Sequence, residues 1–359
     1  MSDFLIVGGG IAGISAAARL SELGSVTVLE AEDALGYHAS GRSAAMFEEN
    51  YGSASTVALN RASKAFHMQS EGILSPRGLL LVCSRGDEAA FEADLATLVL
   101  REIPLEQAFA LHPILDPGAV TRAGYHAEAW DIDTDLLLQN FARAARANGA
   151  RIVTGSRAAG IRKTPAGWEV SARGEDFAGR ILVNAAGAWV DEIAGMAGIA
   201  PLGFTAYRRS MARIPAPAGL EVGGWPMLFG PGESWYAKPD AGKLLVSPAD
   251  EDPMPPQDAW ADDMVLAEGL ARYEAVVTEP VTRVEHNWAG LRTFAPDRSL
   301  AIGFSSDDPT FFWQAGQGGY GMQTSPAASQ LAADLIAGRT PDLDAAAVAA
   351  LSPARFTRI

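Results

Sequence analysis

The sequence predicts an α/β protein in which a Rossmann-like dinucleotide-binding domain is interleaved with an α+β domain carrying a mostly antiparallel sheet. Three observations lead there. Phe4 to Glu30 reads strand, glycine turn, helix and strand, the order of a dinucleotide-binding βαβ unit. Three later glycine segments, at Gly41, Gly187 and Gly316, each fall where a strand is expected to meet a helix. From Pro215 to Pro256 proline and glycine become dense around short alternating strands, the pattern of an antiparallel sheet. With 359 residues, 48% of them hydrophobic, the chain exceeds one ordinary domain and supports a large core.

The elements follow in chain order. In the fingerprint, Gly8 permits the tight turn, Gly10 lets the backbone approach a pyrophosphate, and Gly13 lets the helix pack close on the strand. Ile11 and Ala12 open that helix, so its free N–H groups and positive end face the phosphates. Glu30, followed by Ala31, ends the second strand, where a carboxylate can accept from both hydroxyls of an adenosine ribose and disfavours a 2′-phosphate. A glycine-bearing connection then leads to Arg42-Ser43-Ala44-Ala45, which can open a short helix. Helices are expected over Ser55 to Gln69 and Asp87 to Val99, with a strand over Gly78 to Ser84 between them. Asp131 to Thr134 caps an amphipathic helix whose Leu137, Phe141 and Ala145 share one face until Gly149 stops it. Short strands follow around Ile152, Ile161 and Trp168, then a buried strand from Ile181 to Ala186 that ends in Gly187, with a helix beginning near Trp189. Ser234 to Ala237, Lys243 to Ser247, Val281 to Trp288 and Phe311 to Ala315 read as strands. Asp262 to Val276 and about Thr324 to Ala337 read as helices.

Several functions are excluded. A net charge of −15 without any basic run argues against nucleic acid as a partner. No stretch approaches the roughly 18 to 20 apolar residues of a membrane span, and Phe4 to Val7 is too short for a signal segment. A cytoplasmic location is expected, with loose membrane association left open. Cys83, the one cysteine, sits in a strand-like run as a buried inert thiol, and the five histidines lack ligand spacing, so no metal site is expected.

The fingerprint alone suits NAD or FAD, since both present ADP to the same turn. An enzyme using both a flavin and NAD(P)H would need a second GxGxxG, and Gly230-Pro231-Gly232-Glu233 fails the spacing, so no NAD(P)H site is expected. An extended FAD must also be held at its ribityl chain and ring, which gives the three later glycine segments a purpose. These are Arg42 to Ala45, then Ala186, Gly187 and Trp189, then Gly318, Gly319, Tyr320, Gly321, Met322 and Gln323. The helix opening near Gly321 would aim N–H groups at flavin N1 and O2, where negative charge develops on reduction. Attachment would be non-covalent, because no cysteine lies near this last segment.

The set GGGIAG with Glu30, GRSAA, VNAAGAW, WAGLRTFAPD and GQGGYGMQTSPA resembles the FAD-dependent D-amino acid oxidase (DAO) family. GYHASGRSAA, LSPRG, PLGFTAYRRS, WPMLF and WYAKPDAG are most similar to its bacterial D-arginine dehydrogenase type. The resemblance implies an FAD-binding domain from residues 1–45, 127–203 and 289–359, and a substrate-binding domain from 46–126 and 204–288. It also implies oxidative deamination of D-amino acids to 2-oxo acids and ammonia, with a hydride leaving Cα for flavin N5 and electrons passing to a quinone or another acceptor.

Holding the substrate carboxylate calls for arginine in a bidentate geometry. Arg292, next to Gly290, matches the family's carboxylate-binding arginine, with an ion pair to Asp297 or Asp131 as the alternative. Arg209 matches a second one, although Arg208 could equally be the inward residue. Tyr236 matches a hydroxyl donor to the same carboxylate, Gly319 a carbonyl that accepts from the amine, and Tyr51 a lid-side tyrosine. The protein need supply little acid–base machinery, because FAD carries the hard step.

The side-chain pocket departs from the D-arginine pattern. Gly78-Leu79 replaces an acidic residue after SPR, and the loop over Met46 to Asn50 lacks a histidine. Leu79, Met227 and Phe229, with Met46, favour an apolar or aromatic side chain, while Glu48 restores a cation site if it points inward. Oxidase relatives place a lysine over the flavin; Leu244 aligns there, with Lys243 facing away, which favours a dehydrogenase. The competing readings are a glycine- or sarcosine-type oxidase producing hydrogen peroxide, a 2-hydroxy acid dehydrogenase of the same superfamily, and a regulatory nucleotide-binding protein without turnover.

Overall fold

The computed structural model describes residues 1–356. Its first sheet has a parallel centre. The strand Ser2–Val7 lies between Val26–Leu29 and Glu175–Asn184, and Phe311–Ala315 adds beyond the latter, all in parallel register. Strands buried on both faces need apolar residues on both, which explains the unbroken FLIV run where a half-exposed strand would alternate. The helices Ile11–Leu20, Thr134–Ala147 and Gly321–Ala337 bury Ile14, Phe141 and Leu331 against one face. The antiparallel strands Ala158–Thr164 and Gly167–Ala172 extend the sheet toward its edge.

The second sheet has nine strands and is mostly antiparallel, with one parallel pair between Leu79–Cys83 and Met227–Phe229. Its long strand Thr205–Pro215 pairs with His286–Phe294 on one side and with Lys243–Ser247 on the other. The strand His286–Phe294 spans residue 289 and belongs wholly to this sheet. A small third sheet joins Met46–Phe47, Trp130–Ile132 and Leu74–Pro76. Among the described residues no helix is long and apolar enough to cross a membrane.

The structure corrects three local expectations. Arg42 to Ala45 opens no helix. The chain runs in turns to Arg42 and then extends into the strand Met46–Phe47, because Met46 and Phe47 pair with Asp131 and Trp130. The strand expected at Val281 to Trp288 begins at His286, where the partner strand's Arg213 first faces it. The last helix starts at Gly321, with Pro326 inside it. Proline cannot donate to the Met322 carbonyl one turn back, and Ser325 Oγ donates to that carbonyl at 3.0 Å instead. That repair lets the helix begin before its proline.

Candidate active site

A cavity runs between the two sheets, with residues of both on its walls. At one end it meets the fingerprint: Gly8, Gly10, Ile11, Ala12, Glu30 and Ala31 line it. Gly8 has φ near +115°, and a Cβ there would fall 2.3 Å from the Ala185 carbonyl oxygen. Gly13 lies off the cavity, packed so closely under the turn that a Cβ would sit 1.9 Å from the Gly8 oxygen. Glu30 accepts from Gly9 N at 2.5 Å and Glu32 N at 2.8 Å. Burial raises its carboxyl above the usual range, although these two N–H groups oppose the rise.

Arg42, Ser43 and Ala44 also line the cavity, as do Ala186, Gly187 and Trp189. Arg42 clasps the second sheet: its Nη1 donates to the carbonyls of Ala259 and Ala289 at 3.0 Å, and its Nη2 meets Asp258 at 2.5 Å. Gly290, Arg292, Gly318, Gly319, Gly321 and Met322 line it too, together with Arg209 and Tyr236, and Gly321 lies against Ile11 of the fingerprint.

The arginine alternatives resolve here. Asp297 is engaged by Arg355, and Asp131 by Arg77 and Lys238, so neither expected alternative partner reaches Arg292. Burial works against the Arg292 charge, but the oxygens of Tyr51, Tyr236 and Glu233 around it outweigh this, and the guanidinium holds its proton more firmly than usual. A Cβ on Gly319 would lie 2.9 Å from that guanidinium, so only glycine leaves the arginine its place. Arg209 and Arg208 point to opposite faces of their strand. Arg208 turns to Asp250 and Asp252, while Arg209 faces the cavity with Nη2 on Glu251 at 3.1 Å and with Nε and Nη1 buried and unpartnered.

Other expected residues lie beside the cavity. Ala45 is tied into the small sheet through Ile132 N. Tyr320 meets Tyr51 edge to face at 5.0 Å, and Gln323 Oε1 accepts from Glu48 N at 3.0 Å. Tyr51 donates to Glu233 Oε1 at 2.5 Å, and burial, with Glu233 adding, pushes its phenol well above the ordinary range. Met46, Leu79, Met227 and Phe229 pack with Tyr51 and Tyr236 in one apolar cluster, instead of opening onto the main cavity. Glu48 is buried and faces His126, with Oε2 2.6 Å from Nε2. The expected orientation of Leu244 is corrected: it packs behind the sheet with Ile214 and Leu228, because alternation puts Leu245 on the side of Tyr236 and Met211, while Lys243, on that same side, pairs with Glu285 and does not line the cavity.

Sequence reasoning missed Ser156, Arg157, Met211, Gln257 and Ala259 on the cavity wall, and Glu233 beside Arg292. The signal for Glu233 was present in Gly230-Pro231-Gly232, a turn that delivers the carboxylate with φ near +51°. It had weight only as a failed fingerprint.

A family model described as FAD dependent oxidoreductase (DAO) matches residues 3–335. The chain belongs to the DAO family of FAD-dependent oxidoreductases. Three solved structures share the fold of this DAO protein. Glycine oxidase from Geobacillus kaustophilus superimposes with a TM-score of 0.84 at 22% identity, covering 100% of this chain and 99% of that one. L-proline dehydrogenase from P. horikoshii gives 0.84 at 22% identity over 99% and 97%. Dithionite-reduced L-α-glycerophosphate oxidase from Mycoplasma pneumoniae, solved with FAD bound, gives 0.85 at 19% identity over 95% and 97%.

FAD is the cofactor of the family, and the cavity suits it. Gly187 lines the wall with φ near +56° and open space where a Cβ would project, so a side chain there would intrude on the ligand. The fingerprint turn would hold the diphosphate, Glu30 the ribose, and the helix start at Gly321 and Met322 the flavin end.

Proposed function

We propose that this enzyme deaminates amino acids oxidatively, with a preference for the D hand, as a dehydrogenase of the D-arginine dehydrogenase type acting on neutral side chains. One observation carries the amino acid reading. Arg292 and Arg209 stand on the same face of two paired strands, Arg209 opposite Gly290, and both line the cavity with Tyr236. Two guanidinium groups on the wall of one cavity call for an anion, and a substrate carboxylate matches their planar forks.

Bound FAD would accept a hydride from the substrate carbon, and the imine left behind is hydrolysed by water to a 2-oxo acid and ammonia. The chain's own residues bind and orient. Arg292 and Arg209 grip the carboxylate, Tyr236 donates to it, and the Gly319 carbonyl holds the amine. Tyr51, fixed by Glu233, closes the side toward solvent and excludes water. The D hand and the arginine-type assignment are supported by LSPRG, PLGFTAYRRS, WPMLF and WYAKPDAG. The dehydrogenase reading is supported by the resemblance and by Lys243, which is tied to Glu285 and does not line the cavity.

The test is anaerobic mixing of the FAD-loaded protein with amino acids of each hand, following loss of the oxidised flavin band. Bleaching by D-methionine or D-phenylalanine, with slow reoxidation in air, is the expected outcome. Bleaching by the L forms alone would sink the D assignment, rapid peroxide formation the dehydrogenase assignment, and bleaching by 2-hydroxy acids alone the amino acid reading.

A further inference from the structure

The strand Thr205–Pro215 sends the neighbouring Arg208 and Arg209 to opposite faces, and one short loop supplies carboxylates to both. In that loop Asp250 accepts from Ser210 N at 2.6 Å and from Ser210 Oγ at 2.8 Å, and Asp250 and Asp252 both pair with Arg208. The residue between them turns the other way. Glu251 Oε1 accepts from Nη2 of the cavity-lining Arg209 at 3.1 Å. Ala249 enters the loop with φ near +55°, a left-handed conformation that a residue with a side chain adopts only under constraint.

Glu251 is itself held in place. Arg298 Nη2 donates to its two oxygens at 2.9 and 3.0 Å. The guanidinium carbon of Arg298 lies 3.9 Å from the centre of the Phe294 ring and 5.6 Å from that of Tyr207, rings carried by two paired strands. An ion pair between exposed groups contributes little to stability, but here the Arg209 side chain is only 6% exposed. Among the described residues Glu251 is the one hydrogen-bond partner of that long side chain.

We infer that Glu251 is a positioning residue for the substrate carboxylate. The inference rests on the amino acid reading of the cavity, in which Arg209 grips that group. By taking one nitrogen, Glu251 fixes the guanidinium in the cavity wall and leaves its other donors to the substrate. Arg298, by holding both oxygens, keeps Glu251 from competing with the substrate for them.

The experiment uses FAD-loaded wild type, Glu251→Ala, Glu251→Gln, Arg298→Ala, Arg209→Ala and the Arg209→Ala/Glu251→Ala double variant, each checked by visible spectrum and melting temperature. Anaerobic flavin reduction by the amino acid that reduces wild type fastest gives a limiting rate and a half-saturating concentration. Glu251→Ala should raise the half-saturating concentration about tenfold and change the limiting rate by less than about threefold. Glu251→Gln, which keeps an oxygen for Arg209, should recover part of the loss. Arg298→Ala, which releases Glu251, should shift half-saturation in the same direction as Glu251→Ala and serves if that variant does not hold FAD. In the Arg209→Ala background, Glu251→Ala should add nothing. Unchanged or tighter half-saturation in Glu251→Ala, a glutamine no better than alanine, or a further loss in the Arg209→Ala background overturns the positioning role and leaves the amino acid reading standing. Unchanged half-saturation in Arg209→Ala, or no reduction of wild type by any amino acid, overturns that reading at Arg209 and the positioning role with it.

Discussion

Arg292 is the residue on which the site turns. Its guanidinium is surrounded by Tyr51, Tyr236 and Glu233 and lies against Gly319. A lysine would keep the charge but lose the planar fork, so Arg292→Lys should lower kcat/KM by roughly 10²- to 10³-fold while FAD stays bound. Gly319→Ala should act in the same direction, because its methyl displaces the guanidinium. Stopped-flow reduction beside the visible spectrum checks both, and unaltered reduction rates in Arg292→Lys would remove this arginine from the carboxylate site. At this scale the sequence was informative wherever a residue type has few uses. Buried arginines in a chain of this charge, and glycines at crowded turns, have few. Glu233 has many, and only its place beside Tyr51 gives it a role.

Among the elements, the helix Ile11–Leu20 depends on contact with the turn that precedes it. Gly13→Ala would put a methyl 1.9 Å from the Gly8 oxygen and force helix and turn apart. FAD affinity should then fall by at least about 100-fold, since both the turn and the helix end that would face the diphosphate are displaced. Fluorescence of FAD released on dilution measures this; unchanged retention would mean that the helix accommodates the methyl. Elements with local signatures were legible from sequence. Asp133 caps its helix through Leu136 N at 2.8 Å, and Phe311–Ala315 is buried throughout, as its apolar run implied. Elements fixed by distant partners were not. The segment Arg42 to Ala45 has helix-forming residues, yet the chain extends beyond it because Asp131 and Trp130 wait to pair with Met46 and Phe47. The expected side-chain pocket was likewise read as open from residue types, whereas cross-strand packing closes it.

The whole molecule carries a pH dependence rooted outside the cavity. His112 is buried against Trp225, with ring centroids 4.3 Å apart, and burial holds its imidazole down at about 4. Below the ordinary value of 6.5 the unfolded chain takes up a proton that the folded chain refuses. Its contribution is therefore complete above pH 6.5 and lost as the pH falls toward 4, a loss of about 3 kcal/mol on the scale of the shift. Burial depresses His67 too, so the two act in the same direction. Melting temperatures measured from pH 7 down to 4.5 should decline less steeply for His112→Leu than for wild type. Parallel curves would place the acid sensitivity elsewhere.

The pairing of Ser2–Val7 with Glu175–Asn184, and of that strand with Phe311–Ala315, also has a consequence during synthesis. The nucleotide fingerprint emerges from the ribosome early, but the strand that flanks it on one side follows only some 170 residues later. At roughly 5 to 20 residues per second that is about 10 to 35 seconds with an apolar edge unpaired. FAD can find a finished crevice only after residues 311–322 have followed as well.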